Sequence, residues 1–129
     1  MKIRIRICLN LFCFMIFNFY SVFAQDLTIA KNLKLEYEKD SCRNDSLFKK
    51  AESMLLDILL VDSNNIEANY SLAHLYKGKA LRKALIIKEN KNNWSEEKVS
   101  EEISISRQIL AKGRPYLIRY RRLTGLNND

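Results

Sequence analysis

Few residues in this sequence have the types and spacing that carry out chemistry. His74 is the single histidine. A hydrolytic triad would need a nucleophile and an acid gathered around it, and no nucleophile-elbow motif occurs in the chain. Glu96-Glu97 and Glu101-Glu102 could offer carboxylates to a cation, but adjacent helical residues point in different directions and no further ligand accompanies them. Their place at the start of a periodic segment suits the positive end of a helix dipole instead. The residues therefore predict no catalytic group, no metal site and no cofactor.

The cations form a clearer pattern. Lys77, Lys79, Arg82, Lys83 and Lys88 make one periodic segment basic. Arg107, Lys112, Arg114, Arg119, Arg121 and Arg122 do the same for the next, with no acid between Glu102 and Asp129 and with Tyr116 and Tyr120 among them. Arg114, Arg119, Arg121 and Arg122 form the candidate basic surface. In the cytosol such a run would suit nucleic acid. Outside it, anionic lipid, acidic glycan or an acidic protein patch is the better fit. An ordinary solvated helix face would look the same.

The N-terminus bears on that choice. Met1-Lys2-Ile3-Arg4-Ile5-Arg6 is short and basic, Ile7 to Phe23 is uncharged and mostly apolar, and Val22-Phe23-Ala24 matches the small-residue rule for signal cleavage. A retained anchor is the alternative, but the apolar run falls short of the ~20 residues of a spanning helix and is interrupted by Asn10 and Asn18. Neither Cys8 nor Cys13 follows the small residues of a lipoprotein site. The expectation is a cleavable signal peptide over residues 1–24 and a single domain over residues 25–129, exported to a bacterial periplasm or secreted. Export removes nucleic acid from the candidate partners. Removing 24 of the 129 residues leaves 105, enough for one modest core. Lys2, Arg4 and Arg6 leave with the signal, so the formal charge of +7 falls to +4. Of the three cysteines only Cys42 would remain, which excludes an internal disulfide or a zinc site of its own. The surrounding stretch Lys39 to Asp45 reads as a polar loop, so the thiol is either incidental or paired between molecules.

Three glycines and one proline are too few for an all-β chain. Four helices are expected. In residues 26–39, Leu27, Ala30, Leu33 and Tyr37 share a helical face, whereas Leu33, Leu35 and Tyr37 also alternate as a strand would. The composition favours the helix. Asp45 is placed as the cap of a second helix whose stripe is Leu47, Phe48, Ala51, Leu55, Ile58 and Leu59. Asp62 to Asn65 has turn chemistry. The third helix opens after Asn65 and is expected to run through Gly78 to about Glu89. The fourth begins near Ser95, with Val99, Ile103, Ile109 or Leu110, Leu117, Tyr120 and Leu123 along its stripe. Gly113-Arg114-Pro115 predicts a kink or break, and Gly125 suits a C-terminal cap. Trp94 reads as a staple at the entry to the fourth helix.

Ala51, Leu55, Ile58, Leu59 and Asp62, followed by Asn65, Glu67-Ala68, Leu72-Ala73 and Tyr76, resemble the junction between two tetratricopeptide repeats (TPRs). The likeness spans about residues 46 to 77, one repeat of ~34 residues; residues 115–120 give a fainter echo. Ser63 stands where the family usually has Pro, and Asn69 where a large aromatic is common. The resemblance implies a short array of antiparallel helical hairpins, TPR-like and all-α, closed by long atypical C-terminal helices. It also implies a groove that Glu67, Tyr70, His74 and Lys77 would line. The function expected is a non-catalytic interaction module that binds a peptide or helix of a partner protein. The alternative is an envelope protein held to anionic lipid or glycan at a membrane surface by its basic C-terminal helix. Self-association is open to either, because a short array leaves its end faces uncapped.

Overall fold

The computed structural model describes Val22 and residues 24–126. The expected signal peptide rests on residues 1–24, of which all but Val22 and Ala24 lie outside the described residues, as do residues 127–129. The described chain is all-α. Helix α1 covers residues 24–39, α2 Asp45–Val61, α3 Ile66–Asn90 and α4 Glu96–Thr124. Short turns join α2 to α3 and α3 to α4, which makes successive helices antiparallel neighbours. α3 packs far more extensively on α4 than on α2.

The strand alternative for the first segment is excluded: Ala30 and Tyr37 are buried while Leu35 is half exposed. α1 ends in a Schellman turn. The Cys42 amide donates to the Tyr37 carbonyl and the Ser41 amide to the Glu38 carbonyl, at 2.9 and 3.0 Å. Ser41 and Cys42 take positive φ of 54° and 58°. The expected loop around Cys42 is thus a defined helix end that carries a half-buried thiol onto the core. Burial pushes that thiol up from its ordinary range, and the Glu38 carboxylate adds to the effect.

The cap of α2 is Asn44, one residue earlier than expected. Its Oδ1 accepts from the amides of Ser46 and Leu47, both at 3.1 Å. Asp45 is free to pair with Lys79 of α3 at 2.7 Å and with Lys49 at 3.5 Å. In the following turn, Asp62 accepts from the Asn64 amide and Asn65 caps α3 through the Ala68 amide. Asn69, in the aromatic position of the resemblance, is fully buried. Its Nδ2 donates to the carbonyls of Ser63 at 3.0 Å and Asn65 at 2.8 Å, which ties the turn to the helix.

α3 runs unbroken through Gly78, although glycine costs roughly 1 kcal/mol there against alanine. The reason is steric: a Cβ at Gly78 would lie 3.0 Å from the Cys42 sulfur. α4 likewise continues through Pro115, so of the kink or break expected there, the break does not occur. Gly113 is needed for contact rather than for a turn. A Cβ there would come within 2.9 Å of the Tyr76 Cβ and 3.4 Å of the Ala73 carbonyl, so its absence lets α4 close on α3. Ser95 caps α4 through the Lys98 amide, and Gly125 ends it at φ 70°.

The core lies where α1, α2 and the first half of α3 meet. Tyr37, Phe48 and Tyr76 form an edge-to-face chain with centroids 5.6 and 5.8 Å apart, and Tyr116 of α4 stacks beyond Tyr76 at 6.3 Å. Each such pair adds about 0.5–1.5 kcal/mol to the burial itself. The Tyr76 hydroxyl donates to Glu52, so this buried phenol is not left unpaired. Beyond the core the α3–α4 hairpin is held more thinly. Ser106 donates to the Ala80 carbonyl at 3.1 Å, Lys83 pairs with Glu102, and Ile87 is buried. Trp94 is only half buried, with the Lys98 ammonium 5.1 Å from its ring.

Candidate functional site

α3 contributes short side chains at Ala73 and Ala80, and α4 contributes Gly113, so the two helices meet closely along one line. Beside that line their longer residues splay apart. A concavity of about 610 Å³ opens there. Ala73, Leu110, Ala111 and Leu117 give it an apolar floor. Its charged walls are Lys77 of α3 and Arg107, Arg114 and Arg121 of α4, with the His74 imidazole beside them and no carboxylate in the lining. A long helix was needed for this: α4 supplies three cations spread over four turns.

The four groove residues expected from sequence divide between two concavities. His74 and Lys77 line the α3–α4 groove. Glu67 and Tyr70 line a second one of about 540 Å³ against α1, with Lys31, Leu35 and Tyr120. Lys31 pairs with Glu67 across it. The Tyr70 ring packs on His74 at 4.2 Å and on Tyr120 at 5.0 Å, so this aromatic trio walls one concavity from the other.

The basic set also divides. Arg121 faces the groove and Arg119 and Arg122 flank Pro115 and Ile118 on a shallower surface of α4, while Arg114 stands between the two and lines both. Arg119 reaches the Ser63 carbonyl at 3.4 Å, which ties the end of α4 to the α2–α3 turn. Arg107 joins the site although sequence reasoning left it among the general cations. Its seven-residue spacing from Arg114, and Arg114's from Arg121, was the signal that could have found it. The choice between Ile109 and Leu110 is also settled: Ile109 packs on the core and Leu110 is half exposed over the groove.

No family model, curated protein or solved structure matches this chain. The chemistry of the groove is therefore argued from its own atoms. His74 is partly desolvated and faces the ammonium groups of Lys34 and Lys77, which together hold its pKa below the ordinary imidazole value against the weaker pull of Glu38. Near neutral pH it is uncharged, and the fixed cations of the groove are lysine and arginine. Four permanent positive charges over apolar side chains can hold an amphiphilic anion: the charges orient and attract it, and the floor rewards desolvation. Among the described residues no three His, Cys, Asp or Glu converge as metal ligands, and no helix is long and apolar enough to cross a membrane.

Proposed function

We propose that this chain is an exported, TPR-like protein-interaction module that binds an anionic, partly apolar segment of a partner protein in the α3–α4 groove. The observation that carries the reading is the charge of the groove: Lys77, Arg107, Arg114 and Arg121 converge over Leu110, Ala111 and Leu117 with no acid in the lining. The repeat resemblance is supported by burial of Ala51, Leu55, Leu72, Ala73 and Tyr76, the positions it requires to be packed. The reading of export rests on the basic and apolar pattern of the first 24 residues.

The test is fluorescence anisotropy of the purified protein with labelled peptides of equal length and hydrophobicity. One is acidic, one neutral and one basic. Binding of the acidic peptide alone is expected. Reversing one groove charge, as in Lys77→Glu, should weaken it about tenfold, corresponding to ~1.4 kcal/mol. Equal binding of all three peptides, or capture of phosphatidylglycerol vesicles with no peptide bound, overturns the proposal. The latter outcome, lost on Arg119→Glu and Arg122→Glu, would favour a membrane-surface role for the shallower basic face.

A further inference from the structure

α4 has two seams. On one, Ser106, Ile109, Gly113 and Tyr116 follow one another at steps of three and four and pack toward α3; Ser106 and Gly113 are buried and Ile109 and Tyr116 half buried. The other lies one residue round the helix and borders the open groove, with Ala73, His74 and Lys77 of α3 on its far side. It reads Ile103, Arg107, Leu110, Arg114, Leu117, Arg121, at steps of four and three throughout. Apolar residues recur every seventh position and arginines recur every seventh position between them. Ile103 and Leu110 are 37% and 48% exposed. The stripe runs along the groove and, at Ile103 and Arg107, into the adjoining depression beside Trp94.

A repeat of alternating four and three is the spacing by which one α-helix keeps a single face against another. At 1.5 Å per residue, arginines seven apart are separated by about 10.5 Å, and the three span about 21 Å. A second helix presents side chains on one face at that same interval. An extended strand does not, because its side chains alternate faces every residue and three residues, about 10 Å, bring the next one to the opposite side. Facing arginines call for carboxylates, which guanidinium binds through two parallel hydrogen bonds. The apolar positions between them call for leucine or isoleucine.

We infer that the occupant of the groove is an amphipathic α-helix of a partner protein, with a carboxylate at every seventh residue opposite Arg107, Arg114 and Arg121 and aliphatic residues opposite Ile103, Leu110 and Leu117. The inference rests on the anionic-segment reading of the same groove and narrows it to a helix of defined register. Lys77 of α3 closes the other side, where it adds charge without contributing to the repeat.

Two peptides of identical composition separate the two readings. One carries leucine and glutamate in the seven-residue register and is held helical by a hydrocarbon staple on its outer face. The other is stapled alike but permuted to break the register. The registered peptide should bind at least tenfold more tightly. Arg114→Glu should remove that advantage, and a lysine at the facing glutamate of the peptide should restore it. Arg122→Glu, outside the stripe, should leave binding unchanged, and circular dichroism of each variant checks that the fold is kept. If both peptides bind equally and Arg114→Glu still weakens them, the helical register is overturned while the anionic groove stands. If neither binds, both fall.

Discussion

His74 couples the groove to pH. Its neighbours are Lys34 and Glu38 from α1, Lys77 on its own helix, Arg107, Arg114 and Arg121 across the groove, and the ring of Tyr70. Burial and the nearest ammonium groups lower its pKa in the folded chain, so the unfolded chain takes up the proton first. Stability is then fully present above the ordinary value of 6.5 and falls as pH drops from there toward the folded pKa. The Asp45 carboxyl, held below its ordinary 3.8 by Lys79, loses its contribution only at still lower pH and leaves this window clear. Urea midpoints at pH 7.5 and 5.5 should therefore differ, and the difference should shrink in His74→Gln. The same proton has the opposite effect on binding. A carboxylate-bearing occupant favours imidazolium, so the affinity for an acidic peptide should rise as pH falls, and His74→Gln should flatten that slope. A flat stability profile in the parent chain would mean that the imidazole is not held neutral.

At the scale of elements, the helices were legible because their apolar residues repeat at helical spacing and their ends carry Asn, Ser and Gly. The joints were less so. Asp45 and Asn44 are both good caps by type, and the choice fell to Asn44 because Lys79, remote in sequence, engages Asp45. Gly78 reads as a weak helix position until the Cys42 sulfur is placed against it, and the glycine of Gly113-Arg114-Pro115 reads as part of a kink or break until Tyr76 is seen to fill the space beside it. The close of α1 was hidden for a different reason. A Schellman turn favours glycine at its left-handed position, and here that position is Ser41, with φ 54°. A side chain in that conformation costs roughly 1–2 kcal/mol. Ser41→Gly relieves this and gives part of it back as unfolded-chain entropy. The net should be a gain of about 0.5–1 kcal/mol, seen as a higher urea midpoint at unchanged slope. Ser41→Val should move the midpoint the other way, and no response to either would mean that the turn is not formed in solution.

At the scale of the molecule, the core supports only one end of the α3–α4 hairpin. The contiguous core joins residues of α1, α2 and α3 no further along α3 than Tyr76, and draws in Ile109 and Tyr116 from α4. Past that point Leu81 and Leu85 are exposed, and the hairpin is held by Ala80, Ile87, the Ser106 hydrogen bond and the Lys83–Glu102 pair. An array of repeats would cover such an extension with the next hairpin; among the described residues none follows. The all-α class could be read from helical spacing, but this division could not, because it depends on how far α2 reaches along α3. Its consequence is measurable. Segments with few buried apolar contacts open at lower free energy than the core, so amide exchange should be faster across residues 82–104 than across residues 51–76. An occupant lying along α4 from Ile103 to Arg121 would couple the two regions, since its seam begins on the thinly held end and finishes over the core. The registered acidic peptide should then slow exchange in residues 99–110 more than in residues 51–76. Slowing spread evenly over the whole chain would instead mean that the peptide stabilises the fold globally, without bracing the hairpin end.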